Sequence, residues 1–160
     1  MTAMPKIDIE KVPVDTRTGY PEPFRQAVIG RERKRLGNAA GLEQFGVNLS
    51  RLKPGAASSQ RHWHAHEDEF VYVLDGELVL VEDGGETVLG PGDAAGWKAG
   101  MPNGHCLINR TDRDAVYLEI GSRAPRETAS YPDIDMRAER DDKGMRYVRK
   151  DGMPYPGSER

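Results

Sequence analysis

The chain has 160 residues, which predicts one domain, and 23 Lys and Arg against 26 Asp and Glu give a net charge of −3. This balance argues against a nucleic-acid binder that neutralises phosphates, and no apolar run is long enough to span a bilayer. The N-terminus lacks the apolar stretch of a secretory signal and the single cysteine cannot form an intrachain disulfide, so we expect a cytoplasmic protein with no nucleic-acid or membrane partner.

Residues 1–44 show little periodicity, because four prolines interrupt any helix before it propagates. A basic run stands at Arg31-Glu32-Arg33-Lys34-Arg35. We favour a solvated loop or edge for it; the alternative, a patch for an anionic partner, is poorly supported by a short run with an acidic residue inside it. The segment is predicted to be an N-terminal extension that packs on or across the next one.

Residues 45–121 carry many short strand signals with turns between them. Strands are predicted over residues 45–50, 58–64, 70–74, 77–81, 86–89, 94–97, 105–109 and 115–120. Asp75-Gly76 and Gly90-Pro91-Gly92-Asp93 are typical of tight turns. No helical period is sustained, so the pattern predicts an all-β sandwich or barrel.

Residues 122–160 return to a composition rich in Pro, Gly and charge. We expect a C-terminal extended tail that lies on the barrel with its tyrosines as anchors, and one helical turn is an option over residues 136–140. Neither a second domain nor an internal repeat is indicated.

All four histidines lie between positions 62 and 105, and three of them fall within five residues. On a strand, His62 and His64 point to the same face and can reach one ion. Glu69 opens the next predicted strand, and a later strand brings His105 as a fourth candidate. Two histidines and a carboxylate suit a borderline divalent metal with open positions. Surface histidines on a turn are the alternative.

The wider spacing resembles the first conserved motif of the cupin superfamily. Gly55, His62-x-His64, Glu69 and Gly76 stand at the spacing of that motif. Both glycines fit physically, since Gly55 follows a proline in a turn and Gly76 closes a tight hairpin. The stretches Gln60 to Tyr72 and Lys150 to Tyr155 are also similar to small single-domain bacterial cupins often labelled sugar-phosphate-isomerase-like.

The second cupin motif is matched with one departure. Gly85, Gly90-Pro91-Gly92 and the pair His105 and Asn109 fit it. Lys98 stands where the motif has a proline, and His105 comes two residues later than expected, which fits a loop insertion. Asn103 occupies the standard histidine position. We favour His105 as the ligand, because Asn109 keeps its register to it and an asparagine is a weak metal ligand.

The resemblance implies a single jelly-roll barrel, one divalent metal held by His62, His64, Glu69 and His105, and a homodimer. Zn, Fe, Mn and Ni are not distinguished. His66 falls in the turn and is set aside.

Neighbouring side chains give the candidates for a substrate site. Gln60 shares the face of the ligating histidines and is the catalytic candidate. The predicted substrate pocket contains Arg51, Val71, Val73 and Trp97. A phosphate on the substrate would need a cation at the mouth, for which the candidates are Arg51, Arg61 and Lys98.

Two classes of function follow from a metal with open positions. An enzyme would carry out Lewis-acid isomerase or lyase chemistry on a small sugar-like or hydroxy-carbonyl molecule. An Fe(II)-dependent dioxygenase is the rival enzyme, since a His/Glu site suits Fe(II). The second class is a non-catalytic cupin that binds or senses a small ligand.

Overall fold

A computed structural model describes residues 5–158 as a chain of short strands with little helix. The strands are β1 Val14–Asp15, β2 Arg31–Arg35, β3 Phe45–Leu52, β4 Trp63–His64, β5 Glu69–Asp75, β6 Leu78–Glu82, β7 Gly85–Leu89, β8 Ala94–Trp97, β9 Cys106–Ile108, β10 Ala115–Ser122, β11 Glu127–Tyr131, β12 Met136–Asp141 and β13 Gly144–Val148. The helices are α1 Leu36–Ala39 and two 3-10 turns, Ile9–Lys11 and Phe24–Val28. In the described part of the chain, no helix is long and apolar enough to cross a membrane.

Two antiparallel sheets enclose the main core, which confirms the predicted all-β jelly-roll class. The larger sheet has the strand order β1-β2-β3-β10-β5-β8, and the smaller one has the order β7-β6-β9. Inward-facing side chains alternate with outward-facing ones, as on β5, where Val71 and Val73 are buried and Phe70, Tyr72 and Leu74 are exposed. The core between the sheets contains mainly Leu, Val and Ala, together with Trp97 and Tyr117.

The hairpin between β5 and β6 shows why the motif requires a glycine. Gly76 has a φ of +78°, in the left-handed region that L side chains rarely adopt. A Cβ placed there would also lie 2.7 Å from the carbonyl oxygen of Asp114. A side chain at position 76 would therefore strain the turn and collide with the start of β10, the strand that pairs with β5.

The N-terminal extension is part of the barrel sheet. β2 pairs with β3 in antiparallel register, with Arg33 opposite Ser50 and Arg31 opposite Leu52. The preference for a solvated loop or edge at residues 31–35 is therefore wrong, because Arg31 is 5% exposed and the run is an inner strand of the sheet. A boundary between an N-terminal extension and the barrel at residue 45 would therefore separate β2 from β3, two paired strands of one sheet.

The C-terminal segment is also more regular than an extended tail. β11, β12 and β13 form an antiparallel meander, and β4 pairs with its free edge. Residues 136–140 belong to a strand, not to a helical turn. The meander and the N-terminal segment share a second core: Tyr20, Val28, Ala129, Tyr131, Met136, Ala138 and Tyr155.

Candidate metal centre

Three strand ends bring the predicted ligands together. His62 and His105 lie directly opposite each other in a β-bridge, with the His62 amide donating to the His105 carbonyl (3.2 Å) and the His105 amide donating back (2.9 Å). His64 ends β4, and Glu69 begins β5. The fold thus delivers all four side chains to one end of the barrel interior.

Ligand atoms of His62, Glu69 and His105 all lie within 4.8 Å of one another, and the His64 ring adjoins two of these three residues. The Nε2 atoms of His62 and His64 are 3.0 Å apart, and the Nε2 atom of His105 is 2.8 Å from Oε2 of Glu69. The same Glu69 oxygen lies 3.3 Å from Nε2 of His64 and 3.9 Å from Nε2 of His62. Separations of this size are those of ligand atoms around a single transition-metal ion.

The outer ring nitrogens show that these atoms fit a metal. Nδ1 of His62 donates to the carbonyl of Gln60 (2.8 Å), and Nδ1 of His105 donates to that of Asn103 (3.1 Å). In a neutral imidazole this arrangement leaves on Nε2 the lone pair that a metal ion needs. A carbonyl that accepts from the second ring nitrogen is the usual support of a ligating histidine.

The protonation states of His62 and Glu69 favour the same interpretation. Burial lowers the pKa of His62 to about 4, so the ring is neutral at neutral pH. Burial also opposes the charge of Glu69, but its contacts with the His105 and His64 rings hold the pKa of the carboxyl well below its usual range. A neutral imidazole and an ionised carboxylate are the forms that bind metals.

The structure brings His105, and not Asn103, into this cluster. The indole of Trp97 stacks on the His105 ring, with centroids 3.7 Å apart and planes within 5°. Oε1 of Glu82 accepts from both Trp97 Nε1 and Asn103 Nδ2, each at 2.9 Å. Asn103 therefore anchors the inserted loop, while His105 reaches the centre.

A cavity of about 310 Å³ opens above His62, His64 and Glu69. Sequence reasoning missed most of its other walls. They comprise four arginines, three tyrosines and one carboxylate: Arg17, Arg31, Arg33, Arg35, Tyr20, Tyr131, Tyr147 and Glu119. A glutamate on the inward face of a central strand is itself a signal, because Glu119 alternates in phase with the buried Tyr117.

The predicted catalytic candidate lies outside the cluster. Residues 58–61 are bends and not a strand, so the alternation that placed Gln60 beside the histidines does not hold there. Its side-chain amide donates to the carbonyl of Phe24 (3.0 Å), and its backbone amide donates to the Tyr20 hydroxyl (3.3 Å). Gln60 therefore fastens the N-terminal segment to the barrel, and the catalytic prediction for it is wrong.

The predicted pocket residues are only partly at the site. Arg51 is on the outer face of β3 and ion-pairs with Asp114 (3.2 Å), so its place in a substrate pocket is wrong. Val71 and Val73 lie in the barrel core and do not line the large cavity, although Val71 lines a small pocket of about 10 Å³ beside Glu69 and His105. Trp97 is buried against the His105 ring and lines the same small pocket as Val71, but not the large cavity.

The other two cation candidates for a phosphate are also elsewhere. Arg61 is bound by Asp133 and Asp83. Lys98 is exposed on the loop after β8.

A second group of potential ligands surrounds the outer side of His64. Its Nδ1 atom is buried without a hydrogen bond and lies 3.9 Å from Glu67 and 4.0 Å from Glu127. Glu127 accepts the backbone amides of Ala65 and His66, so its role there is to fix the chain around the ligand. The His66 side chain is exposed, in agreement with setting it aside.

Known proteins share this fold and its sequence pattern. A family model described as a cupin domain matches residues 48–121. A crystal structure from Silicibacter pomeroyi, described as a sugar phosphate isomerase from a cupin superfamily, is 50% identical; the match covers 94% of this chain and 96% of that one, with a TM-score of 0.92.

Two further proteins are similar over shorter or more distant matches. A β-D-galactosidase of Mycobacterium tuberculosis is 41% identical over 83 residues, which are 51% of this chain and 68% of that protein. The polyketide cyclase RemF of Streptomyces resistomycificus is 20% identical with a TM-score of 0.61, over 75% of this chain and 80% of that one, a similarity of fold.

Proposed function

The chain belongs to the cupin superfamily, and from this premise we propose that it is a metal-dependent enzyme acting on a small sugar-like hydroxy-carbonyl molecule. The observation that carries the proposal is the convergence of three imidazole Nε2 atoms and the Glu69 carboxylate beneath an open cavity. Two similar proteins bear the names of sugar-active enzymes, which supports the substrate class.

His62, His64, Glu69 and His105 would hold one divalent ion. Such an ion, when bound, supplies a Lewis acid that polarises a carbonyl or hydroxyl oxygen of the substrate. The carbonyls of Gln60 and Asn103 orient the rings of His62 and His105, and the Trp97 indole also fixes the plane of the His105 ring. Because the cavity opens on the side of His62 and His64, substrate would approach from there.

Glu119 is the carboxylate in the cavity that does not belong to the ligand set. It accepts from Asn48 Nδ2 (3.1 Å) and lies 3.6 Å from Arg33, and its side chain is 19% exposed. In an aldose–ketose isomerisation a base removes the proton next to the carbonyl and returns it to the neighbouring carbon. We assign this proton transfer to Glu119.

An activity panel tests the proposal. Protein loaded in turn with Zn, Mn, Ni or Fe(II) is incubated with sugars and sugar phosphates, and interconversion is followed by NMR. Metal-dependent turnover that disappears in His62→Ala/His64→Ala and persists in His66→Ala supports it. Consumption of O₂ with Fe(II) would replace it by dioxygenation, and full metal loading without turnover would leave a ligand-binding cupin.

The role of Glu119 has a separate test. Glu119→Gln should lower kcat by about 100-fold or more, the range of general acid–base catalysis, with its metal content unchanged. Unchanged turnover in this variant would overturn the assignment.

We further propose that the chain forms a homodimer through the outer face of its large sheet. Phe70, Tyr72 and Leu74 are 42%, 38% and 43% exposed on one face of β5, next to Leu118 and Ile120 on β10. Contiguous exposed apolar surface of this kind marks an association site. Light scattering should give a dimer for the wild type and a monomer for Phe70→Asp; a monomeric wild type would contradict the proposal.

The cytoplasmic location stays a prediction.

A further inference from the structure

Three arginines of β2 point into the same cavity as the candidate metal ligands. Arg31, Arg33 and Arg35 alternate with Glu32 and Lys34, so the odd-numbered residues share one face of the strand. All three line the cavity, and Arg17 from the preceding segment joins them. The basic run that favoured a solvated edge thus supplies one wall of the candidate site.

These guanidinium groups outnumber their acidic partners. Arg17 and Arg35 share a single carboxylate, that of Asp15, each at 2.9 Å. Arg33 lies 3.6 Å from Glu119. Four cations therefore face three carboxylates, those of Asp15, Glu119 and Glu69, and Glu69 is a candidate metal ligand, so the net charge around the cavity is positive.

Arg31 is the most deeply buried arginine of the group. It is 5% exposed, and within residues 5–158 no carboxylate lies within 4 Å of it. Its guanidinium donates to the carbonyls of Ser58 (2.7 Å) and Arg17 (3.3 Å) instead. Burial, followed by repulsion from Arg33, lowers its pKa. A buried cation without a counter-charge is costly, and such a cost is typically retained where a ligand supplies the missing charge.

Arg33 adds an unused donor. Its Nε atom is buried and makes no hydrogen bond, because the nearest carboxylate oxygen, Oε2 of Glu119, is 3.6 Å away; the residue also lines the cavity. Buried donors without partners are rare in folded proteins. An oxyanion in the cavity would give this N–H an acceptor and Arg31 a counter-charge at the same time.

We infer that this arginine wall is an anion subsite that binds the phosphate monoester group of the substrate. The inference rests on the proposed function and narrows its substrate class to phosphorylated sugar-like molecules. A phosphate monoester carries about −1.5 to −2 at neutral pH and therefore balances a wall of four guanidinium groups better than a carboxylate does. Tetrahedral phosphate can also accept from several guanidiniums at once, whereas a planar carboxylate suits one fork.

The cavity has room for this arrangement. Its volume of about 310 Å³ suffices for a small phosphorylated molecule whose other end contacts the candidate ligands. The N-terminal extension, by supplying Arg17 and β2, therefore becomes the specificity element of the site.

Calorimetric titration of the full chain with inorganic phosphate tests the subsite. Arg33→Gln should weaken phosphate binding by about tenfold or more, the effect of losing a charge-assisted hydrogen bond. Lys34→Gln is the matched control, because it removes the same charge from the opposite face of the same strand, and its affinity should stay within about twofold. Arg33→Lys, which keeps the charge but loses the fork, should be intermediate, and thermal melting checks that each variant folds.

The outcomes separate this inference from the proposed function. Titration is repeated on protein stripped of metal, so binding that depends on Arg33 in both forms supports the subsite even if no turnover is found. Equal losses in Arg33→Gln and Lys34→Gln, or no saturable binding of phosphate at millimolar concentrations, would overturn it. In that case metal-dependent turnover of neutral sugars would still support the proposed function.

Discussion

The apolar core of the barrel and the polar cavity at its end are built by the same strands. On one face of β5, Glu69 contacts three histidines, while Val71 and Val73, two and four residues further along, are sealed in the core. Strand β10 repeats the pattern in reverse, with Ala115 and Tyr117 buried and Glu119 lining the cavity. Position along a strand thus separates the part that stabilises the fold from the part available for chemistry.

The two regions differ in what surrounds them. The barrel core is enclosed by the two sheets alone. The cavity has additional walls outside the two sheets. His62 stacks on Tyr131, with ring centroids 5.5 Å apart, and Tyr131 in turn packs against Tyr20, with centroids 5.8 Å apart. These tyrosines belong to the second core between the N-terminal segment and the meander. The terminal segments therefore support the site more than they support the barrel.

Truncation within the barrel core should have the largest effect on stability and none on the metal. Leu78→Ala removes a fully buried side chain of β6 and should lower the free energy of unfolding by about 2–5 kcal/mol in urea denaturation. Val88→Ala on the exposed face of β7 is the control, with an expected change within about 0.5 kcal/mol. A loss of metal affinity in folded Leu78→Ala would show that the two regions are not separable.

Truncation within the cluster should do the reverse. His105→Ala should weaken metal binding by about 100-fold or more, since even supporting residues around metal ligands cost 10–100-fold. Asn103→Ala, in the adjoining loop, should keep the metal, because that side chain contacts Glu82 and the Asp83 amide instead of the ligands. Competition with a chromogenic chelator measures both affinities. The reverse order would make Asn103 the ligand.

The smallest effect is expected at the boundary between the regions. Trp97→Phe keeps an aromatic ring against His105 but removes the Nε1–H donor to Glu82, at a cost of about 1 kcal/mol of stability. Metal affinity should fall by no more than about tenfold, the lower end of the range for supporting residues, because an aromatic ring is kept against His105. A loss as large as that of His105→Ala would show that the indole does more than hold the ring.

The barrel was predictable because its strands alternate between apolar and polar side chains. Over β5, β8 and β10 the predicted and observed bounds agree within two residues. Strand β2 escaped prediction because both of its faces are charged, and alternation of Arg with Glu and Lys leaves no apolar period. In β11 and β12 the buried positions include Glu127 and two alanines, so the apolar signal is weak there as well.

The candidate ligands were predictable from spacing, whereas the cavity was not. His62 and His64 stand two residues apart, so local strand geometry brings these two together, whereas Glu69 begins β5 in a different sheet and reaches them through the fold. The arginine wall comes from residues 17–35, which reach the cluster only through pairing of β2 with β3. Long-range pairing of this kind is not encoded in a local pattern.

Metal content is the most direct test of the central claim, that four side chains at the end of this barrel form one metal centre. The protein is purified without a metal-affinity tag and analysed by elemental mass spectrometry. The account predicts one divalent ion per chain, its absence in His62→Ala/His64→Ala and its retention in His66→Ala. A folded wild type without metal that also fails to take up Zn, Mn, Ni or Fe(II), or a double variant that keeps its metal, would contradict it.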